Sequence, residues 1–344
     1  FLLVLFILII SANAAAEDSW IRKTDMPTPR FGLAVSAVNG KLYAIGGMDL
    51  DGNNNLKSLS VVEEYDPKTD NWVRKQDMPT SRWFLGASAI DGKIYAIGGG
   101  TLGALYRTVE EYDPSTDKWN RKADMPTARD AFSTCVVNGI IYAIGGWAVG
   151  ELSATNVEAY DPKTDTWTIK ANMLTRRQGL ATVVVDGKIY AIGGLSKGAV
   201  IADVNPGDIL ASVEEYDPVT DTWTEKSRMP EKRADLAACA INGRIYVFGG
   251  VDGSMAPTPT VYEYNPKTDE WIEMSDMQVP REALSADTVD GKIYAVGGYN
   301  VMMGIGILST VEEYTPVNLS VSPNGKLSMS WGEIKREFQT LGGF

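Results

Sequence analysis

Histidine is absent from all 344 residues. The commonest general base and the commonest metal ligand are therefore missing. Ser-His-Asp and Cys-His catalysis and His-based zinc or copper sites are excluded. Cysteine is nearly absent, with Cys135 and Cys239 the only two. They hold the same place in non-adjacent repeats, which argues against a disulfide, and both are expected as small core residues. A basic excess is also missing. Lys and Arg total 32 against 44 Asp and Glu, a formal charge of −12 with pI near 4.7. No nucleic-acid or anionic-membrane partner is expected from that balance.

Long apolar runs are missing beyond the first ten residues. Phe1–Ile10 is apolar and is followed by small residues with an Ala12-Asn13-Ala14 site. This is the pattern of a secretory signal, and the run is too short to span a bilayer comfortably. Residues 1–16 are expected to be a signal peptide whose start is incomplete, with an uncleaved anchor as the alternative. The mature chain is expected without a membrane span, secreted or periplasmic, and monomeric.

What the chain has in abundance is repetition. Trp20, Trp72, Trp119, Trp167, Trp223 and Trp271 are each followed 26 residues later by a Gly-Gly pair, as in 46 − 20 = 26. The pairs begin at Gly46, Gly98, Gly145, Gly193, Gly249 and Gly297. Such a period marks a repeat architecture. Each unit carries an Asn-Gly or Asp-Gly pair between two hydrophobic stretches, the signature of a two-residue hairpin turn. Each also carries a Tyr in the second stretch, a V-E-E-Y-like third stretch, and a D-P-x-T-D turn before the Trp. These features predict four short antiparallel strands, a to d, per unit. Repeated six times, they predict an all-β six-bladed β-propeller. The chain starts on a d strand and ends on a c strand, so the N-terminal strand is expected to complete the last blade.

The double glycine, Tyr and Trp at these spacings resemble the kelch repeat over roughly residues 17–317. The resemblance implies a six-bladed kelch propeller, more often a binding platform than an enzyme. Residues 318–344 leave the pattern. They are expected as a tail with a possible hairpin around Asn324-Gly325, and Asn318-Leu319-Ser320 is a glycosylation sequon.

Length varies only between Gly-Gly and the strand-c Tyr. That interval is 19 residues from Gly46 to Tyr65 and 23 from Gly193 to Tyr216. Variable loops on a rigid scaffold usually carry recognition, so the b–c/d–a face is the expected binding face, with Leu195–Ser212 its longest loop. Ten residues after each Trp stands an arginine: Arg30, Arg82, Arg129, Arg177, Arg233 and Arg281. Placed at the start of strand a, they would form a positive funnel able to grip carboxylate, sulfate or phosphate. The resemblance implies such a role too, because arginines here take part in kelch proteins that bind acidic peptides. The other reading pairs each with the first strand-c glutamate (Glu63, Glu110, Glu158, Glu214 and Glu312). Tyr262 replaces that glutamate in the fifth unit, which singles out Arg233 as the most available.

The residues after Arg and after Gly-Gly vary from unit to unit. Among them Trp83, Trp147 and Tyr299 are candidates for a stacking surface. Asp49–Asn55 spaces its oxygens as a calcium loop would, but the glycine is misplaced and the twelfth-position glutamate is missing. The Gly-Gly pairs end strands and open no helix, so they are not phosphate loops.

The expected function is a non-catalytic secreted binding module for a protein segment or acidic glycan, without cofactor or metal. One alternative is an exported sialic-acid-type mutarotase/epimerase using the arginine mouth, since some exported kelch propellers that this chain resembles in architecture act on sialic acid; Arg would hold the carboxylate, and Asp130, Asp235 and Glu282 are the acids best placed for proton transfer. Another is a structural matrix or spacer propeller. The lack of histidine argues against a copper oxidase of the galactose-oxidase type, which also uses a kelch propeller. An intracellular ubiquitin-ligase adaptor is disfavoured by the signal-like start.

Overall fold

The computed structural model describes residues 18–148, 153–197, 206–300 and 306–316. The expected signal, the tail with its sequon, and the middle of the Leu195–Ser212 loop lie outside them. The described residues form six four-stranded antiparallel sheets arranged as the blades of a propeller. Blade 1 consists of Ala34–Val38 (a), Lys41–Ile45 (b), Val62–Asp66 (c) and Asn71–Arg74 (d). The later blades repeat this order. Their a strands begin at Gly86, Ser133, Ala181, Ala237 and Ser285. Every a–b turn has both central residues at positive φ, as with Asn39 at 53° and Gly40 at 74°. That geometry matches the twist of the flanking strands, and it is why Asn-Gly and Asp-Gly recur there.

Six apolar cores lie between neighbouring blades, and no single core fills the molecule. Blades 1 and 2 close over Tyr43, Ile45, Val62, Met78, Leu85, Ile94 and Tyr112. Blades 6 and 1 close over Met26, Leu33, Leu42, Tyr65, Tyr294 and Val296. The Trp of each unit packs on its own strand-c Tyr, as Trp72 does on Tyr65 at 5.0 Å. Its indole N–H reaches the preceding blade, as Trp72 donates to the Thr24 carbonyl at 3.0 Å. The last Asp of D-P-x-T-D works beside it. Asp70 accepts from the Thr24 N–H at 3.0 Å and from the Tyr65 hydroxyl at 2.6 Å. This pair of ties recurs at all six interfaces, so Trp and Asp repeat because every blade needs the same outer fastening.

The arginines form the inner fastening, and here the expected positive funnel is corrected. All six are fully buried, and none presents its guanidinium to solvent. Nor do they open the a strands, which start four residues later, as Arg30 and Ala34 illustrate. Arg82 Nη2 meets Glu110 at 2.7 Å, while Nη1 donates to the Gly98 and Thr108 carbonyls at 2.9 Å each. Arg30, Arg129, Arg177 and Arg281 bind Glu63, Glu158, Glu214 and Glu312 in the same way. Burial lowers the Arg30 and Arg82 guanidinium groups to about 10 while the paired glutamates oppose it, so both stay cationic at neutral pH. Arg233 is no more available than the others. Where the fifth blade lacks the glutamate, Arg233 lies 5.0 Å from the centre of the Tyr262 ring. It also bonds Thr260 and reaches Glu231 at 3.2 Å.

The Gly-Gly pairs belong to the same joint. The backbone carbonyl of each arginine accepts from the second glycine of the preceding blade, as Gly47 N–H to Arg82 O at 2.8 Å. At the first glycine a Cβ would sit 2.5 Å from that carbonyl, with φ at +61°. Only glycine tolerates both the approach and the dihedral.

The ring closes as the chain order requires. Ser19–Arg22 pairs with Val311–Thr315, placing Trp20 opposite Tyr314. On the inner side Val35 and Ala37 N–H donate to Ser285 Oγ at 2.9 Å and to Asp287 Oδ2 at 2.7 Å. Both cysteines are free and buried on the inner strands.

Three stability outcomes follow. Trp20→Ala is expected to lower unfolding free energy by about 3–5 kcal/mol, because the cavity opens at the closing blade. Glu110→Ala leaves Arg82 buried and unpaired, and is expected to cost about 3–5 kcal/mol. Glu231→Ala removes a partly exposed partner and is expected to cost about 1 kcal/mol or less. Chemical denaturation of the three variants measures the order.

Candidate ligand-binding site at the channel mouth

The a strands surround a central channel. At its b–c/d–a end the second residue after each arginine takes a left-handed backbone conformation. These residues are Gly32, Phe84, Ala131, Gly179, Asp235 and Ala283, with φ between 44° and 58°. Each donates its N–H to the carbonyl of the same residue in the preceding blade, at 2.6–3.0 Å, and Gly32 to Ala283 closes the circle. A hydrogen-bonded ring of six residues therefore frames the mouth. Four of them are not glycine, and strain of this kind gathers at functional sites.

Phe84 and Asp235 carry the large side chains of this ring. They stand three blades apart, on opposite sides of the axis. Phe84 lies over Gly32, where a Cβ would be 3.3 Å from its ring, and Asp235 lies over Gly179. The cavity just inside has a volume of about 170 Å³. Further down, a second cavity of about 310 Å³ is bounded by Ser36, Ser88, Cys135, Cys239 and Asp287.

Around the ring, the residue after each arginine pairs with the residue after each Gly-Gly. The pairs are Phe31–Met48, Trp83–Gly100, Asp130–Trp147, Gln178–Leu195, Ala234–Val251 and Glu282–Tyr299. The two variable positions of the repeat are thus one structural unit, and cross-strand partners share a face. Tyr299, Phe31, Trp83 and Phe84 form a continuous aromatic wall over blades 6, 1 and 2. Their centroids are 5.2 Å apart for Phe31–Tyr299 and for Trp83–Phe84, and 6.4 Å for Phe31–Trp83. The Trp83 indole nitrogen is buried without a protein partner. Trp147 joins from blade 3 and is 42% exposed. Trp83, Trp147 and Tyr299 therefore share one mouth, while the six arginines lie inside the blades. Phe31 and Phe84 complete the wall. Their neighbourhood depends on the ring closing blade 6 onto blade 1, which no spacing within a unit reveals.

The rest of the mouth is acidic. Burial pushes the Asp130 carboxyl up to about 7, with Asp235 adding to the effect. Burial takes Asp235 to about 6, and burial with Asp235 nearby takes Glu282 to about 8. No salt bridge reaches any of the three among the described residues. Gln178, 8% exposed, holds the equivalent place in blade 4, and its Oε1 is also without a partner. Among the described residues no group of three or more acidic, Cys or His side chains is arranged to hold a metal ion. The Asp49–Asn55 segment closes on itself, with Asp51 accepting from the Asn53 and Asn55 N–H groups. No described helix is long and apolar enough to cross a membrane.

The loops beyond the mouth are apolar at their tips. Leu50, Leu56, Leu102, Trp147 and Leu174 are exposed on the b–c and d–a loops, at 41–64%. On the c–d turns of the opposite face only Val219 is an exposed large apolar residue among those described. Ile21, Val73 and Ile169, on the outer d strands, are exposed as well and belong to neither loop face.

A carboxyl group whose proton affinity rises on folding contributes stability that is fully present below its unfolded pKa. That contribution is lost as pH rises through the folded value. For Asp130 the window runs from about pH 4 to about pH 7. Asp130→Asn is therefore expected to match the parent's stability near pH 4 and to exceed it by about 4 kcal/mol at pH 8.5. Denaturation curves at both pH values test this, and a gap independent of pH would contradict it.

Comparison with known proteins agrees with this architecture. The KLHDC2/KLHL20/DRC7 Kelch-repeats domain matches residues 16–194, and the Kelch motif matches 176–230, 232–278 and 280–322. An F-box/kelch-repeat protein of Arabidopsis thaliana, At1g67480, is 38% identical over 96 residues, 27% of this chain and 24% of that protein. Kelch-like ECH-associated protein 1B of Danio rerio is 34% identical over 90 residues, 26% of this chain and 15% of that protein. The matches thus span a quarter or less of those relatives' length. The solved structure titled "Structure of YjhT" superposes with a TM-score of 0.70 at 16% identity, covering 84% of this chain and 95% of that one, a likeness of fold. With a family model over more than half its length and six blades built on one motif, the chain belongs to the kelch-repeat family.

Proposed function

We propose that this propeller is a non-catalytic binding module that takes a protein segment on its b–c/d–a face. Trp83, Trp147 and Tyr299 are its contact residues, and the chain acts as a secreted or periplasmic protein. The observation that carries the reading is the gathering of exposed apolar side chains on that face, around an aromatic-lined mouth. Aromatic anchors ringed by polar groups are the usual energetic centre of a protein contact. Kelch relatives are mostly interaction modules, which supports the general class. Secretion rests on the apolar start and the Ala12-Asn13-Ala14 site.

An acidic glycan and a sugar acid fit the mouth less well. Either would bring negative charge towards Asp130, Asp235 and Glu282, while the six arginines that were to hold it are buried. A protein segment needs no such cation.

The test is selection of random twelve-residue peptides on the full chain. Selected peptides are expected to lose about tenfold or more in affinity to Trp83→Ala, Trp147→Ala or Tyr299→Ala, since each anchor is worth roughly 2 kcal/mol. Lys68→Ala, on a c–d turn of the opposite face, is expected to leave binding unchanged. Peptides sensitive to Lys68 and indifferent to the aromatic residues would overturn the reading.

A further inference from the structure

The mouth combines three features that call for one kind of chemistry. Its aromatic wall of Phe31, Trp83, Phe84 and Tyr299 offers π faces. Asp130, Asp235 and Glu282 have no cationic partner among the described residues. Gln178 Oε1, on a side chain only 8% exposed, is an acceptor oxygen left without a donor. Aromatic faces and acceptor oxygens together recognise a donor-rich cation. The cavity behind the ring, about 170 Å³ and bounded by Phe84 and Asp235 among others, leaves room for a linear side chain.

We propose that the channel mouth receives a basic side chain, lysine or arginine, from the bound protein segment, held between the aromatic wall and Asp130, Asp235 and Glu282. The proposal rests on the reading of this face as a peptide-binding surface. The arginines cannot serve a competing anion there, because their donors are turned into the blades towards glutamates and carbonyls. The cation's stem lies against Phe84 and Trp83, and its charged head faces Asp235 across the ring. Among the described residues Asp235 lies within electrostatic reach of both Asp130 and Glu282, and Tyr299 is the cross-strand partner of Glu282. Without a cation, burial holds all three carboxyls above the usual range, Glu282 at about 8, Asp130 at about 7 and Asp235 at about 6. A bound ammonium or guanidinium favours the ionised forms, so binding releases protons and strengthens as pH rises.

The experiment uses the full chain and three defined probes: Nα-acetyl-lysine methylamide, its arginine counterpart, and Nα,Nζ-diacetyl-lysine methylamide. Titration calorimetry and tryptophan fluorescence read binding at pH 5.5 and 8.5. At least one cationic probe is expected to bind about tenfold more tightly at pH 8.5, with proton release, while the diacetyl probe does not bind. Asp235→Asn and Glu282→Gln, checked for folding by circular dichroism, are expected to weaken binding about tenfold each. Equal binding of neutral and charged probes, or indifference to both variants, would overturn the proposal. The peptide selection separates this failure from that of the broader reading. Mouth-dependent peptides sharing a basic residue support both. Mouth-dependent peptides without one overturn the cation site alone. Binding of the cationic probes with no mouth-dependent peptide overturns the protein-segment reading alone.

Discussion

The joint on which this propeller depends is the buried arginine of each blade. Its guanidinium ties strands b and c of its own blade through a glutamate and backbone carbonyls. Its backbone carbonyl receives the N–H of the second glycine in the blade before. One residue therefore orders a blade internally and joins it to its neighbour. A cation with no exposed surface is costly to bury unless every neighbour answers it. That cost explains why the surrounding residues are so uniform. The first glycine clears space for the carbonyl, the methionine four residues before the arginine fills the gap beside it, and the glutamate supplies the charge. Blade 5 shows the alternative solution, where Tyr262 gives a π face and Thr260 with Glu231 takes the donors.

The fold was legible because it is written six times. Turn chemistry, strand alternation and the permuted start of the chain sufficed to place all four strands of every blade and the closing strand. Of the two readings of the arginines, the Arg–Glu pairing agrees with their burial and the funnel does not. Their spacing was plain, but spacing does not tell whether a charged side chain points into a blade or into a channel. Repetition itself was the better clue. A residue present in every unit answers a need that every unit has, and the glutamate at a fixed place in five of the six units was the visible partner. The acids of the mouth were visible as variable positions. Their mutual proximity was not, because Asp130, Asp235 and Glu282 come from blades 3, 5 and 6. Only the curvature of the blades around the axis brings Asp235 within electrostatic reach of the other two.

Scaffold and site divide along the same line. Positions that fasten blades repeat, and positions facing the axis beyond the ring do not. Phe31, Trp83, Asp130, Gln178, Ala234 and Glu282 occupy six equivalent places with six different chemistries. Because the framework beneath them is nearly six-fold, the asymmetry of the mouth comes almost wholly from these side chains and their cross-strand partners. One half is aromatic and the other acidic. A site of this kind changes specificity by single substitutions without disturbing the hydrogen-bonded ring that holds it.

The acidic half is not a stabilising feature. Burial opposes the ionisation of all three carboxyls, and among the described residues no salt bridge offsets it. Phe84 and Asp235 add backbone strain at positions where glycine would relax it. The scaffold accommodates both because its fastening lies elsewhere, in the Trp–Asp ties at the rim and the arginine joints within the blades. Folding alone would be served better by neutral residues at the mouth and glycine around the ring. A constellation that weakens the fold, at the end of the channel where apolar loop tips also lie, is what the proposed binding of a protein segment at this mouth accounts for.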